Sequence, residues 1–117
     1  MQSIADALSR LKRSSFRSRF QLKEEDIAYI RKKGMDVIES HARDFVREKL
    51  APAEPVKDGK QTPMKGHPVF KAMHATACCC RGCLNKWWKV PQGKQLTLVQ
   101  IDKIVNLIMA WIEREMA

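Results

Sequence analysis

No run in this sequence approaches the roughly 18 consecutive apolar residues that a membrane-spanning helix requires. The first residues lack the apolar core of a secretory signal, and their Arg/Ser-rich character reads as a basic first helix rather than a transit peptide. Cysteine is missing everywhere except between residues 78 and 83, where all four lie. Neighbouring cysteines cannot staple distant segments, so a disulfide framework is not expected. The thiols are read as reduced, in a cytoplasmic protein with no membrane partner. Strand patterns are scarce, and there is no internal repeat or low-complexity tract. A phosphate-cradling glycine loop, a nucleophile elbow and carboxylates paired for acid–base work are also lacking, which leaves the enzyme question open.

What is there suits a single domain, because 117 residues bury roughly two-thirds of the surface that the unfolded chain exposes. The pattern predicts a mainly α protein: a compact helical domain of about five helices, with a long loop and a Cys/His-rich segment. Residues 1–20 form a basic N-terminal arm that packs on a body spanning residues 21–117. Ser3 and Asp6 cap a first helix to about Arg13, and Phe16 and Phe20 dock the arm. A second helix starts near Leu22, with Glu24, Glu25 and Asp26 at its positive end and Gly34 stopping it. A third runs from Met35 to Leu50, with Val37, Ile38, His41, Phe45 and Val46 on one face. Residues 51–66 form the loop, and Pro68 opens a fourth helix. The last helix begins at a Thr97/Gln100 capping box and buries Leu98, Ile101, Ile104, Val105, Ile108, Trp111 and Ile112.

The net charge of +9 is unevenly placed. Residues 1–23 carry +5 and residues 57–94 carry +7, whereas the intervening and final segments are slightly negative. Such asymmetry points to a polyanionic partner, DNA or RNA first. The residues expected to meet nucleic acid are Arg10, Lys12, Arg13, Arg17, Arg19, Lys57, Lys60, Lys65, Arg81, Lys86, Lys89 and Lys94, through phosphate contacts. Trp87 or Trp88 would add base stacking. Adjacent residues on a helix point in different directions, so one of the two tryptophans is expected in the core.

The chemistry concentrates in HPVFKAMHATACCCRGC, residues 67–83. His67 and His74 lie two helical turns apart, and Cys80-Arg81-Gly82-Cys83 is a C-x-x-C whose glycine suits a tight knuckle. Thiolate and imidazole ligands suit zinc, which takes four in a structural site. The candidate ligands are His67, His74, Cys79, Cys80 and Cys83. Zinc is the expected cofactor, and an iron–sulfur cluster, which prefers all-thiolate ligation, is the alternative. The competing reading is packing, since free cysteine is among the most buried residue types.

The runs HARDFVREKLAPAEP, DGKQTPMKGHPVF, HATACCCRGCLNKWW and IVNLIMAWIER resemble a family of short bacterial proteins known only as a domain of unknown function. The resemblance extends from Arg17 to the C-terminus. It implies that His67, His74, Cys79, Cys80 and Cys83 are motif residues and that Cys78, where the family has a small polar residue, is the least suited ligand. It also implies a histidine where this chain has Trp88. The expected function is a zinc-binding helical module that docks on nucleic acid. The alternatives are a metal-dependent enzyme or thiol redox protein, and an adaptor that dimerises through its last helix.

Overall fold

The structure, a computed structural model, describes residues 3–56 and 59–117. Ser3 caps the first helix, α1 (Ile4–Lys12), by accepting a hydrogen bond from the Asp6 amide at 3.2 Å. A short 3-10 turn, Arg17–Arg19, leads to α2 (Glu24–Lys33), whose first turn is acidic and last turn basic, as the helix dipole favours. Gly34 ends it at φ 90°, a conformation that side-chain-bearing residues rarely adopt. The third helix, α3 (Met35–Phe45), stops earlier than its periodicity predicts: the last turn, Val46–Leu50, widens to π geometry. Ile38, Ala42 and Val46 form its buried stripe, and Val37, expected on that face, is 41% exposed.

After the loop come α4 (Pro68–Ala75), α5 (Arg81–Trp88) and α6 (Leu98–Met116). The α5 helix is the element that the sequence reading missed; the predicted knuckle is its first turn. Gly82 there does not have a positive φ, so no tight turn requires it. The α6 helix carries eight buried residues from Ile101 to Ile112 and packs against α1, α3, α4 and the π turn. Fully burying such a side chain stabilises by about 1.5–3 kcal/mol, so α6 is the main apolar anchor. Leu98, expected in the core, sits at its first position and is 74% exposed. Among the described residues there is no strand.

Two connections position the Cys segment. At the end of α4 the Cys78 amide donates to the Met73 carbonyl at 2.8 Å and the Ala77 amide to the His74 carbonyl at 3.4 Å. These two bonds make a Schellman turn with Ala77 in the left-handed position at φ 57°. A non-glycine residue pays roughly 1–2 kcal/mol there, and the turn throws Cys79 and Cys80 back over the arm side of the molecule. The second connection is Arg81, 1% exposed. Its guanidinium donates to the carbonyls of Leu50, Pro52, Pro91 and Lys94 at 2.7–3.1 Å. It therefore ties the π turn and the α5–α6 loop to the start of α5.

Candidate metal centre

Cys80 caps α5: its sulfur accepts from the Cys83 amide at 3.3 Å, which brings the two ends of the C-x-x-C together. The Schellman turn places Cys79 beside them. The sulfurs of Cys79, Cys80 and Cys83 all lie within 4.8 Å of one another. Three close cysteines of this kind can hold a metal ion. A tetrahedral site with Zn–S bonds of about 2.3 Å has sulfurs about 3.8 Å apart, so rotamer adjustments of the order of 1 Å close it.

A buried cation completes the group. Arg17, 8% exposed, donates to Cys83 Sγ at 3.1 Å, to Cys79 Sγ at 3.6 Å and to the His74 carbonyl at 2.7 Å. Burial works against the Arg17 charge, and its contacts with Cys83 and Cys79 outweigh that and hold it protonated. Hydrogen bonding from the Cys79 thiol has the largest influence on Cys83. Together with Cys80 and Arg17 it overcomes burial and brings Cys83 down to about 5. Cys79 is pushed up by donating to Cys83 and by burial, and Cys80 is pushed up mainly by burial. At neutral pH the trio is thus one thiolate and two thiols against one guanidinium, and a metal ion would displace two protons.

The other cysteine and the two histidines stand apart. Cys78 is fully buried, donates to the Thr76 carbonyl at 3.4 Å and is pushed up to about 12 by burial. It behaves as a small core residue. His74 has its Nε2 at 3.1 Å from both the Thr62 and Pro63 carbonyls. Two acceptors there fix that nitrogen as the N–H donor, and neither ring nitrogen joins the group of sulfurs. Thr62 in turn donates to the Cys79 carbonyl at 2.8 Å, so His74 braces the loop that flanks the thiols.

His67 caps α4, its Nδ1 accepting from the Val69 amide at 3.0 Å. The proton must then sit on Nε2, which lies 3.1 Å from His41 Nδ1 and donates to it. Both nitrogens of His67 are committed, and the rings of Tyr29, Phe45 and Phe70 surround it at 5.1–5.7 Å. Burial, reinforced by His41, lowers its pKa to about 4, so it stays neutral. Of the five predicted ligands, the structure brings the three cysteines together and leaves both histidines outside the cluster.

The predicted nucleic-acid residues divide in the same way. Arg17 and Arg81 are buried and spent on sulfur and carbonyl acceptors. Lys12, Arg13, Arg19, Lys60, Lys65, Lys86, Lys89 and Lys94 are exposed, and Lys57 lies outside the described residues. Arg10 donates to the Trp87 carbonyl at 2.7 Å, and its guanidinium lies over the rings of Trp87 at 4.8 Å and Trp88 at 5.5 Å. Arg17 lies over Phe16 at 4.9 Å and Trp87 at 5.9 Å. The interleaved ladder fastens the arm to α5 and occupies Arg10 and Arg17, while the other described cations of the predicted surface, Arg81 apart, stay exposed. Trp88 is the core tryptophan, and its indole N–H donates to the Thr76 carbonyl at 2.9 Å.

Arg17 as the partner of the thiols and His41 as the partner of His67 were missed. They lie 66 and 26 residues away along the chain, and no local signal links them. A family model described as a domain of unknown function (DUF4186) matches residues 5–113, which takes in nearly all of α1 and of the segments of the resemblance. No solved structure matches the chain.

Proposed function

The chain belongs to the DUF4186 family, whose description names no activity, and on that premise we propose that it is a zinc protein holding one ion on Cys79, Cys80 and Cys83. The observation that carries this reading is the convergence of three sulfurs with a buried guanidinium against two of them. Three thiolates and a divalent ion leave one negative charge, and Arg17 supplies the one positive charge that balances it. A trivalent ion would leave Arg17 as an uncompensated buried cation, which is costly. Borderline-soft zinc is the divalent ion that thiolates commonly take.

Among the described residues no fourth His, Cys, Asp or Glu joins the trio. Structural zinc sites are closed by four protein ligands, whereas sites with three keep a position for water or substrate. The centre is therefore of the open kind, with Arg17 orienting two of its sulfurs through the hydrogen bonds it donates to them. Elemental analysis of untagged protein, purified without chelator, tests this. About one equivalent of zinc in a colourless protein is expected. Iron with visible absorption would replace the reading with an iron–sulfur cluster, and protein free of metal that takes up no added zinc would overturn it.

A further inference from the structure

A cavity adjoins the centre. Its volume is about 340 Å³, and its walls are Arg10, Ser14, Phe16, Arg17, Lys86 and Trp87. Three cations face it and, among the described residues, no carboxylate does. The ion pairs among the described residues, Arg43–Asp102 and Lys71–Asp26, involve none of the three. Cys83, Lys86 and Trp87 are spaced i, i+3 and i+4 along α5, so they share one helix face with Cβ atoms about 5–6 Å apart. Arg17 joins the two places directly: it walls the cavity and donates to Cys83 Sγ.

We infer that this cavity binds a small tetrahedral dianion, a group of the sulfate or phosphate-monoester type, and presents it beside the thiol centre. The charge count rests on the zinc reading, in which Arg17 is spent balancing the centre. Arg10 and Lys86 then remain as two positive charges without a counter-charge, which a dianion matches. Planar guanidinium forks and a flexible ammonium suit tetrahedral oxygens. A nucleic-acid backbone fits less well, because each phosphodiester carries a single charge and Arg10 already lies over Trp87 and Trp88, where bases would stack.

The test is a titration of the zinc-loaded full chain with sodium sulfate, followed by tryptophan fluorescence with ionic strength held constant by chloride. Trp87 walls the cavity and reports occupancy. Saturable binding is expected, weakened at least about tenfold in Lys86→Gln, a loss that corresponds to one charged contact. Lys86 is exposed, so this variant keeps the fold, and Arg10→Gln provides the second, independent loss. Zinc content is measured on every sample. Sulfate binding that is absent, or equal in wild type and Lys86→Gln, in protein that carries zinc overturns the dianion site alone. Sulfate binding in protein that takes up no zinc overturns the zinc reading and the charge count built on it. Binding of single-stranded oligothymidylate but not sulfate overturns the pocket in favour of an extended basic surface.

Discussion

At the start of α4, His67 spends one ring nitrogen on the Val69 amide and the other on His41. Just past its end, Cys79, Cys80 and Cys83 bring three sulfurs together with Arg17, the amides of the first α5 turn and one another as polar company. Both groups are built from metal-ligand residue types, and both sit in motifs that looked alike as sequence. The difference lies in the lone pairs. An imidazole that caps a helix and donates across to a second imidazole has nothing left to give. A thiol trio held by one guanidinium has three sulfurs to offer, two of them after losing a proton. Ligand capacity is thus decided by what each donor atom already does, and residue type alone does not reveal it.

The comparison breaks first at Cys83. Cys83→Ser is expected to lower zinc affinity by more than about a hundredfold, beyond the 10–100-fold typical of changes in residues that only hydrogen-bond to a ligand. Cys78→Ala should leave zinc content unchanged; competition with a chromophoric chelator measures both. Arg17→Leu is next, with zinc affinity down about 10–100-fold. The same change should cost about 2–3 kcal/mol of stability by chemical denaturation, as the Cys83 thiolate and the His74 carbonyl lose a donor. An Arg17→Leu protein with unaltered zinc affinity would show that the guanidinium serves the fold alone.

At the other end of the helix, His67→Ala should cost about 2 kcal/mol through the lost cap and the space left among Tyr29, Phe45 and Phe70, with zinc content unchanged. Its pH signature is specific. The folded pKa is depressed to about 4, below the unfolded value of 6.5, so the neutral ring is the stabilising form. That contribution is fully present above about pH 6.5, declines as pH falls toward 4, and is gone below it. Discounted for partial exposure it amounts to about 2 kcal/mol. His67→Asn, which retains a capping side chain, should flatten the slope between pH 4 and 6.5. An unchanged slope would mean that another group carries it. The smallest effect is expected at Lys89, which ends α5 in the left-handed region at φ 61° with its side chain exposed. Lys89→Gly should stabilise by about 0.5–1 kcal/mol and leave zinc affinity where it was.

The sequence was informative where structure is local. Capping residues and apolar spacing located α1, α2, α4 and α6 because a cap and a 3.6-residue stripe are written within a few positions of each other. The α5 helix stayed hidden because its buried stripe is short, Leu84 and Trp88 with the charged Arg81 one turn before them. At the site, the closeness of the three cysteines follows from a short run and a C-x-x-C, whereas the partners of the histidines, a loop carbonyl pair and a residue on another helix, have no local signal. Arg17 looked like a phosphate contact for the same reason: charge is visible in a sequence, but burial against sulfur is not. The contacts of Arg10 and Arg17 with Trp87 repeat that lesson, with residues some 70–77 positions apart meeting in the fold.

The most direct test of the central claim is X-ray absorption at the zinc edge of the purified protein. Three sulfurs at about 2.3 Å with one light-atom ligand and no imidazole scattering are expected. One or two histidines bound to the ion, or fewer than three sulfurs, would contradict the assignment of the ion to Cys79, Cys80 and Cys83.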